Sequence, residues 1–481
     1  MSERTMEPAR DAAADVAAAD VAAADNAVVD NAAVANAPVS QPAAGDLPPM
    51  ALVAPWYPAL SETFVRREAA ELRRRGADMC VVSLREPGEQ DITLTGESPD
   101  AIVYRGAAST FAAAAAEGLR HPWRSLGTLC MSLADALNPG EPTSPGARAR
   151  FVVQALGAIG LAPRLRARGV QHLHAHFAHA SAGVAMYTAR QLGVPFSFVG
   201  HANDIFERRQ LLARKLRRAA FVSCISHWHR ELYQSIHARP ESEYPVVRCG
   251  VDVSQWSSTG AAGESPAASP AGSPDDAVPG EPSSAAIAPV RLLGVGRIVA
   301  KKGFDRLIDA LPRLPEGLSP WTLTIIGDGP AFDDLAAQVA ASGLAGRITL
   351  AGAQPEAVVT EAMQSADVFV LPCRVDGQGD RDGIPVVLME AMACELPVIV
   401  GDLPAIRELV HAPDVGRLVP AKDDDALVAA LAEIIGNADA RAAIGRAARA
   451  WIEAEFEVQV NGDRVGQAIV AAGHASRGSR P

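Results

Sequence analysis

Several features that mark other classes of protein are missing from this sequence. Its six cysteines form no C-x-x-C pair and no regular framework, which favours reduced core thiols in a cytosolic protein. No eighteen apolar residues run uninterrupted, so no transmembrane helix is predicted. The N-terminus lacks the basic and apolar regions of a secretory signal. Lysine and arginine number 44 against 56 acids, so no basic excess suggests nucleic-acid binding.

Two segments also lack the periodicity of folded structure. Residues 1–48 repeat Ala-Ala-Ala-Asp in a five-residue rhythm, which fits neither a helix nor a strand and predicts a disordered tail. Residues 257–289 are rich in serine, proline, alanine and glycine, which is typical of a linker. The linker separates two bodies of similar size, 49–256 and 290–456. A helix over 457–475 is expected to cross back to the first body.

Both bodies alternate short apolar runs with helical stretches. The runs predicted as strands in the first body are MALVAP (50–55), MCVVSL (79–84), HLHAHF (172–177), FSFVGH (196–201), FVSCIS (221–226) and VVRCGV (246–251). Those of the second body are VRLLGVGR, LTIIGDG, ITLAG, VFVLP and PVIV. Such runs are typical of parallel strands that are covered on both faces. The alternation predicts two doubly wound α/β domains, with ligands at the carboxyl ends of the strands in a central cleft.

A glycine-rich loop follows the first strand of the second body. It reads Gly294-Val-Gly296-Arg297-Ile-Val-Ala-Lys301-Lys302-Gly303 and precedes the helical segment FDRLIDAL. Glycines let a backbone approach a phosphate, and a helix N-terminus favours negative charge. Arg297 offers a planar fork for phosphate oxygens and Lys302 a point charge. We therefore expect a phosphate site; a dinucleotide oxidoreductase would need the third glycine of G-x-G-x-x-G, which is absent.

Two acids, Asp382 and Glu390, flank the predicted start of the helix that follows VFVLP. One carboxylate could accept hydrogen bonds from sugar hydroxyls and the other from the hydroxyls of a ribose. Considered alone, Asp382 is better explained as a helix N-cap and Glu390 as an exposed helix acid. Asp380-Arg-Asp382 has the Asp-x-Asp spacing of metal-using transferases, but it coincides with the acid-rich loop before this helix. Phosphate neutralisation is therefore assigned to Arg297 and Lys302, and no metal site is predicted.

Together these motifs resemble those of the retaining, GT-B-fold glycosyltransferases of family 4, and more narrowly the bacterial exopolysaccharide enzymes of colanic-acid and amylovoran type. The resemblance covers about residues 50–455. It is carried by Trp56-Tyr-Pro-Ala-Leu-Ser61-Glu62-Thr63-Phe64, His174-Ala-His176-Phe177, His201-Ala-Asn-Asp204-Ile-Phe206, Cys249-Gly250-Val251-Asp252, the Gly296/Arg297/Lys302 loop, Gly327-Asp-Gly-Pro330 and Asp382…Glu390.

The resemblance implies roles for individual residues. Arg297 and Lys302 would hold the donor diphosphate, and Asp382 and Glu390 would be the two acids of the E-x7-E motif. The catalytic set it implies is His201, Asp382, Arg297 and Lys302. Gly296, Gly383 and Ile384 would line the donor site. The acceptor side of the cleft would be lined by Ser61, Glu62, His176 and Asp204.

Two residues depart from the family pattern. Asp382 stands where a glutamate is usual, which shortens its reach by one methylene and would affect the choice of sugar. Glu395 stands where a glycine is usual, in a turn before Leu396-Pro397-Val398.

The resemblance further implies a nucleoside-diphosphate-sugar donor, no metal or other cofactor, and a glycan or lipid-linked acceptor in cell-surface polysaccharide synthesis. Residues 66–75 and 207–219 are rich in bases, which predicts either solvated helix faces or a peripheral contact with an anionic membrane, at the inner face of the cytoplasmic membrane. A metal site at the histidines of HLHAHF is the weaker alternative to cleft lining. A sugar-nucleotide epimerase or a non-catalytic sugar-nucleotide sensor remains an alternative function.

Overall fold

The computed structural model describes residues 47–60, 62–138, 144–201, 210–256 and 288–478. Except at their inner ends, the predicted tail and linker lie outside these ranges. The described residues form two compact units. One contains the chain up to Gly250 together with the residues from Phe456 onward, and the other is Val251–Glu455. Within the described ranges, no helix is both long and apolar enough to cross a bilayer.

The first unit is built on a six-stranded parallel sheet in the order β3-β2-β1-β4-β5-β6. Its strands are β1 Met50–Ala54, β2 Met79–Ser83, β3 Ala101–Ile102, β4 His172–His176, β5 Phe196–Val199 and β6 Phe221–Ser223. All residues of β1, β2, β4, β5 and β6 are buried, because helices cover both faces of the sheet. Successive strands are added on one side of β1 up to β3 and on its other side from β4 onward. The topological switch point of this unit therefore lies between β1 and β4.

Helices from both ends of the chain cover this sheet. They are α1 Thr63–Arg74, α2 Glu89–Thr95, α3 Ala107–Arg120, α4 Pro122–Ala136, α5 Pro145–Ala167, α6 Ala180–Leu192, α7 Leu212–Arg218, α8 His227–Ile236 and, last in the chain, α15 Val458–Gly478. Helix α1 buries Val65, Ala69 and Leu72, which are spaced at helical intervals along one face. Helix α15 adds Val465 and Ile469 to the same core cluster.

The second unit repeats the architecture with the strand order β12-β11-β10-β7-β8-β9. Its strands are β7 Val290–Val295, β8 Trp321–Ile326, β9 Ile348–Leu350, β10 Val368–Leu371, β11 Val398–Gly401 and β12 Arg417–Val419. Its helices are α9 Phe304–Ala310, α10 Phe332–Ala341, α11 Glu356–Ser365, α12 Val386–Ala393, α13 Asp424–Gly436 and α14 Ala438–Glu455. The switch point lies between β7 and β10. The predicted pair of doubly wound α/β sheets is confirmed.

One predicted strand is wrong. The segment VVRCGV (246–251) forms no strand, and its Val246 makes an isolated parallel bridge with Cys224. Two residues further on, the backbone N–H of Arg248 donates to the side chain of Asn461 at 2.8 Å. Because helix α15 takes this donor, the segment does not continue as a seventh strand. The structure also contains two short edge strands, β3 and β12, that the sequence analysis missed.

Candidate functional site

Two loops meet at the switch point of the second unit. One follows β7 and contains the glycine-rich motif, and the other follows β10 and contains Asp382. Because β7 and β10 are adjacent and parallel, their loops emerge side by side at one edge of the sheet. Lys302 Nζ lies 2.8 Å from Asp382 Oδ2. Lys301 Nζ lies 2.8 Å from Asp380 Oδ2 and 3.5 Å from Asp382 Oδ1. The loops are therefore joined by a cluster of two lysines and two aspartates.

The pair Lys302–Asp382 is charged in spite of its burial. Burial works against both charges, but Asp382 outweighs it and raises the pKa of the Lys302 ammonium above its ordinary value. In the same way, Lys302 and then Lys301 hold the pKa of the Asp382 carboxyl below its usual range. The thiol of Cys373 donates to Asp382 Oδ2 at 3.4 Å. Burial, followed by that carboxylate, raises the pKa of this thiol, which keeps it protonated.

The close approach of the two loops depends on a glycine. Gly303 has a φ of 71°, and a Cβ atom there would lie 2.1 Å from the carbonyl oxygen of Pro372. Arg374, in the loop after β10, also joins the two loops. It donates to the carbonyl of Ala300 at 3.0 Å and pairs with Asp305 at 2.6 Å. Any side chain at Gly303 would separate Lys302 from the β10 loop.

Arg297 lies on the same loop but is exposed. Among the described residues it makes no hydrogen bond or ion pair, so its guanidinium is available to a ligand. Gly296 precedes it, half-buried, at the end of β7. The loop therefore presents two paired cations, Lys301 and Lys302, and one unpaired cation, Arg297.

Asp382 is not a helix cap. Helix α12 begins at Val386, and its N-cap position is Pro385, which provides no side-chain cap. Gly383 and Ile384 are buried between Asp382 and the helix, and the half-buried Glu390 lies on the helix itself. The alternative explanation of Asp382 as an N-cap is thus wrong, because its carboxylate contacts the lysines instead.

The turn after α12 keeps its shape although Glu395 replaces the usual glycine. Glu395 has a φ of 60°, in the left-handed region. Its N–H donates to the carbonyl of Met392, and that of Leu396 to the carbonyl of Ala391, which is the Schellman pattern that ends many helices. A side chain in this conformation is strained, so the departure affects stability rather than the path of the chain.

In the first unit, the switch point is lined by histidines rather than by charged pairs. His176 Nε2 donates to Glu68 Oε1 of helix α1 at 3.0 Å, and His174 Nε2 lies 3.3 Å from the same oxygen. Ser197 Oγ lies 2.8 Å from both His172 Nε2 and His174 Nδ1. Burial opposes the charge of Glu68, but His176 and His174 outweigh it and hold the pKa of this carboxyl well below its usual range.

His201 follows strand β5 by two residues, beside this network. Its ring packs against Phe64, with 4.4 Å between centroids, and stacks on His176 at 5.9 Å. Burial, reinforced by His176, lowers the pKa of the His201 imidazole well below its ordinary value. His201, His176 and Glu68 line a small cavity of about 20 Å³. At neutral pH the cavity therefore presents a neutral imidazole next to a buried carboxylate.

A single group of side chains in the described residues has the composition of a metal site. It consists of Glu68, His174 and His176, whose ligand atoms lie within 4.8 Å of one another. Of these atoms, His176 Nε2 already donates to Glu68, whereas the buried His174 Nε2 lies near the same carboxylate without a hydrogen bond. The predicted residues Ser61 and Asp204 lie outside the described residues. Glu62 is half-buried at the N-cap position of α1 and does not cap the helix with its side chain.

The basic stretches are largely engaged within the first unit. Arg214 and Arg218 both pair with the buried Asp135. Lys215 is buried, and its Nζ donates to the carbonyls of Ala178, His179 and Gln210. Arg66 pairs with Glu97, Arg74 with Glu71, and Arg75 with Glu71 and Asp463. These bases hold the unit together, which weakens the expectation that they form a membrane surface.

Sequence reasoning missed Lys301, Cys373 and Glu68 as parts of these sites. The tandem Lys301-Lys302 was a usable signal, because adjacent lysines after one strand can pair with two acids after the neighbouring strand. Glu68 was hidden within a basic stretch. Its contact with His176 follows from topology, since α1 comes directly after β1, which pairs with β4.

Comparison with known proteins agrees with this arrangement. The family model of the group 1 glycosyl transferases matches residues 288–451. The chain is 31% identical over 296 residues to the colanic acid biosynthesis glycosyltransferase WcaL of Escherichia coli, covering 60% of this chain and 67% of that protein. It is 36% identical over 173 residues to the amylovoran biosynthesis glycosyltransferase AmsK of Erwinia amylovora, covering 36% and 42%.

A third relative is the GDP-mannose-dependent phosphatidylinositol monomannoside mannosyltransferase of Mycolicibacterium smegmatis, 31% identical over 176 residues, covering 36% of this chain and 46% of that protein. The match spans less than half the length of this relative and of AmsK. Among solved structures, HepE of Anabaena in complex with UDP superposes with a TM-score of 0.60 at 16% identity, covering 88% of this chain and all of that one. This likeness shows the fold alone, and the predicted GT-B class is confirmed.

Proposed function

Because the chain belongs to the group 1 glycosyl transferases, we propose that it transfers a sugar from a nucleoside-diphosphate sugar to a glycan or lipid-linked acceptor, with retention of anomeric configuration. The relatives named for colanic acid and amylovoran suggest a place in cell-surface polysaccharide synthesis. The relative that acts on phosphatidylinositol monomannoside suggests that the acceptor carries a lipid. A lipid-linked acceptor would bring the protein to an anionic membrane as a peripheral protein, at the inner face of the cytoplasmic membrane.

The observation that carries this proposal is that Arg297, Lys301 and Lys302 belong to one loop at the switch point between β7 and β10. Departure of a nucleoside diphosphate builds negative charge on the bridging oxygen as the glycosidic bond breaks. Arg297 and Lys302 would stabilise that charge, and preorganised groups of this kind are worth about 10²–10³ in rate each. The Asp382 contact would hold Lys302 in position until the diphosphate arrives.

Asp382 and Glu390 would divide the remaining donor contacts. Asp382 would meet the sugar ring, Glu390 the ribose, and Gly296, Gly383 and Ile384 would bring backbone close to sugar and phosphate. We propose that no metal is needed, and the pairing of Asp380 and Asp382 with lysines supports this. A divalent cation would have to displace an ammonium from each carboxylate.

On the acceptor side, His201 would contact the reacting sugar as a neutral imidazole, able both to donate and to accept a hydrogen bond. His176 and Glu62, with Ser61 and Asp204, would line the acceptor site. The donor phosphate itself would help to take the proton of the acceptor hydroxyl, so neither histidine has to act as the base.

Calorimetric titration of UDP and GDP tests the phosphate assignment. Arg297→Ala and Lys302→Ala should each weaken binding of the preferred diphosphate by roughly tenfold or more, because each removes a charged donor to phosphate. Arg291→Ala is the matched control, since Arg291 is an exposed base at the opposite end of strand β7. Unchanged affinity in both test variants would remove the basis of the proposal.

A further inference from the structure

Helix α4 buries mostly polar side chains and exposes a stripe of apolar ones, the reverse of an ordinary surface helix, while Leu129 and Met131 pack partly buried against the core. Its buried residues are Ser125, Thr128, Ser132, Asp135 and Ala136. Its exposed residues include Trp123, Leu126, Cys130, Leu133 and the cap residue Leu137. These are three or four residues apart, so they form one stripe along the helix. Trp123 is 82% exposed and Leu137 75%.

Hydrogen bonds fix this orientation of α4. Thr128 Oγ1 donates to Gln191 Oε1 at 3.0 Å, and Gln191 Nε2 donates to Ser125 Oγ at 3.0 Å. Asp135 accepts from the hydroxyl of Tyr187 at 2.9 Å. The polar face belongs to a buried network that involves α6, so rotating the helix to hide its apolar stripe would leave these groups without partners.

Helix α3 extends the apolar area. Its Leu119 is 86% exposed and its Phe111 57%. We call this area the α3–α4 surface, defined by Phe111, Leu119, Trp123, Leu126, Cys130, Leu133 and Leu137. Scattered exposed apolar residues are normal, but a continuous apolar stripe such as the one along α4 marks an interaction site.

The charges around this surface are of one sign. From residue 101 to residue 168, the described part of the chain contains two acids, Glu117 and Asp135, and both are fully buried. Glu117 pairs with Arg166, and Asp135 with arginines of α7. The exposed bases in this stretch are Arg105, Arg120, Arg124, Arg150, Arg164 and Arg168, the last of which pairs with Asp100 just outside it. The stretch therefore exposes apolar groups and cations but, within the described residues, no carboxylate.

A groove of about 380 Å³ adjoins this surface between helices α3 and α5. Three arginines, Arg105, Arg120 and Arg164, line it together with small residues such as Ala116 and Gly160. Guanidinium groups bind phosphate oxygens with two parallel hydrogen bonds, so the groove suits a phosphate group.

We propose that the α3–α4 surface docks the protein on an anionic lipid bilayer. The apolar stripe would enter the headgroup region, where tryptophan is favoured, and each nearby base would be attracted to the anionic leaflet. A second copy of the chain fits less well, because apposing this face on itself would bring arginines together without an exposed carboxylate. This inference rests on the proposed function in one respect: docking on the bilayer would give the protein access to a lipid-linked acceptor.

Vesicle co-sedimentation of the full chain tests this proposal without sugar transfer. The parent protein should bind vesicles of phosphatidylcholine mixed with phosphatidylglycerol and bind phosphatidylcholine alone much more weakly. The double variant Trp123→Gln/Leu126→Gln and the charge reversal Arg120→Glu should each weaken binding to the anionic vesicles by roughly tenfold. The control Leu94→Gln, an exposed leucine on helix α2 of the same unit, should bind like the parent.

The affected side chains are exposed, so melting temperature and UDP or GDP affinity should match those of the parent. Variants of the α3–α4 surface that lose vesicle binding but keep normal nucleotide affinity would support this proposal. The proposed function is tested separately, by the nucleotide affinity of Lys302→Ala. Failure of the parent protein to bind anionic vesicles would overturn the proposal. A concentration-dependent dimer that Trp123→Gln/Leu126→Gln dissociates would also overturn it, because the surface would then be a contact between copies.

Discussion

The two switch points of the molecule occupy equivalent places in two similar sheets but carry opposite kinds of side chain. The one between β7 and β10 holds charged lysine–aspartate pairs, whereas the one between β1 and β4 holds imidazoles joined to a single carboxylate. In the first case, lysines are paired with carboxylates, and under the proposed function a diphosphate would replace those carboxylates as their partner. In the second, a neutral imidazole faces a small cavity. Under the proposed function, the same topology would provide an anion site in one unit and a hydrogen-bonding site in the other.

The largest effect should come from breaking the charged pair. Asp382→Asn should lower sugar transfer by about 10²-fold, because the sugar contact loses its charge. Binding of bare UDP or GDP should stay nearly normal, since neither carries a sugar and the diphosphate replaces the carboxylate as the partner of Lys302. Turnover and calorimetric affinity, measured on the same preparation, separate the two quantities.

Asp382→Glu is the matched control, because it restores the family's usual acid and keeps the charge, and it should retain turnover. If Asp382→Asn transfers sugar like the parent, Asp382 only positions Lys302, and the sugar contact lies elsewhere.

A smaller effect should follow from breaking the imidazole network of the first unit. Glu68→Gln should lower the free energy of unfolding by about 1–3 kcal/mol, because the buried His176 loses its charged acceptor and His174 loses a close charge contact. UDP and GDP affinity should not change. Chemical denaturation measures the loss, and Glu89→Gln, a change at an exposed acid of α2, should be neutral.

The same network predicts a dependence on pH. The pKa of the Glu68 carboxyl in the folded protein lies below its ordinary value of 4.5. Such a group stabilises the fold above the unfolded-state pKa, and this contribution is lost as the pH falls below it. The melting temperature of the parent should therefore drop more steeply below about pH 4.5 than that of Glu68→Gln. Parallel curves for the two proteins would show that Glu68 is not charged in the fold.

The smallest effect should come from the far end of helix α12, away from the acids. Glu395→Gly should raise the free energy of unfolding by about 0.5–1 kcal/mol, because relief of left-handed strain outweighs the greater freedom of unfolded glycine. Glu395→Ala should give no such gain, since alanine suffers the same strain. Equal stability of all three proteins would mean that the turn adapts to the side chain.

The sequence was informative where strands are long, apolar and central, as in MALVAP and VFVLP. It failed at the sheet edges, because Ala101–Ile102 is too short to show a period and Arg417–Val419 begins with a charge. VVRCGV has the composition of a strand, but a side chain of the distant helix α15 takes its backbone donor.

For the site, motif spacing located Arg297, Lys302 and Asp382 individually. The contact between Lys302 and Asp382 joins residues far apart in the chain and follows only once β7 and β10 are known to be neighbours. The inward polar face of α4 likewise depends on partners such as Gln191 and Arg214 in other helices.

Turnover after chelation tests the central claim most directly, namely that Arg297 and Lys302 neutralise the leaving diphosphate. With an identified donor, protein treated with EDTA should retain most of its activity, because the cations that act on the diphosphate belong to the chain itself. Loss of activity that Mn²⁺ or Mg²⁺ restores would contradict the account and assign the role to a metal held by Asp380 and Asp382.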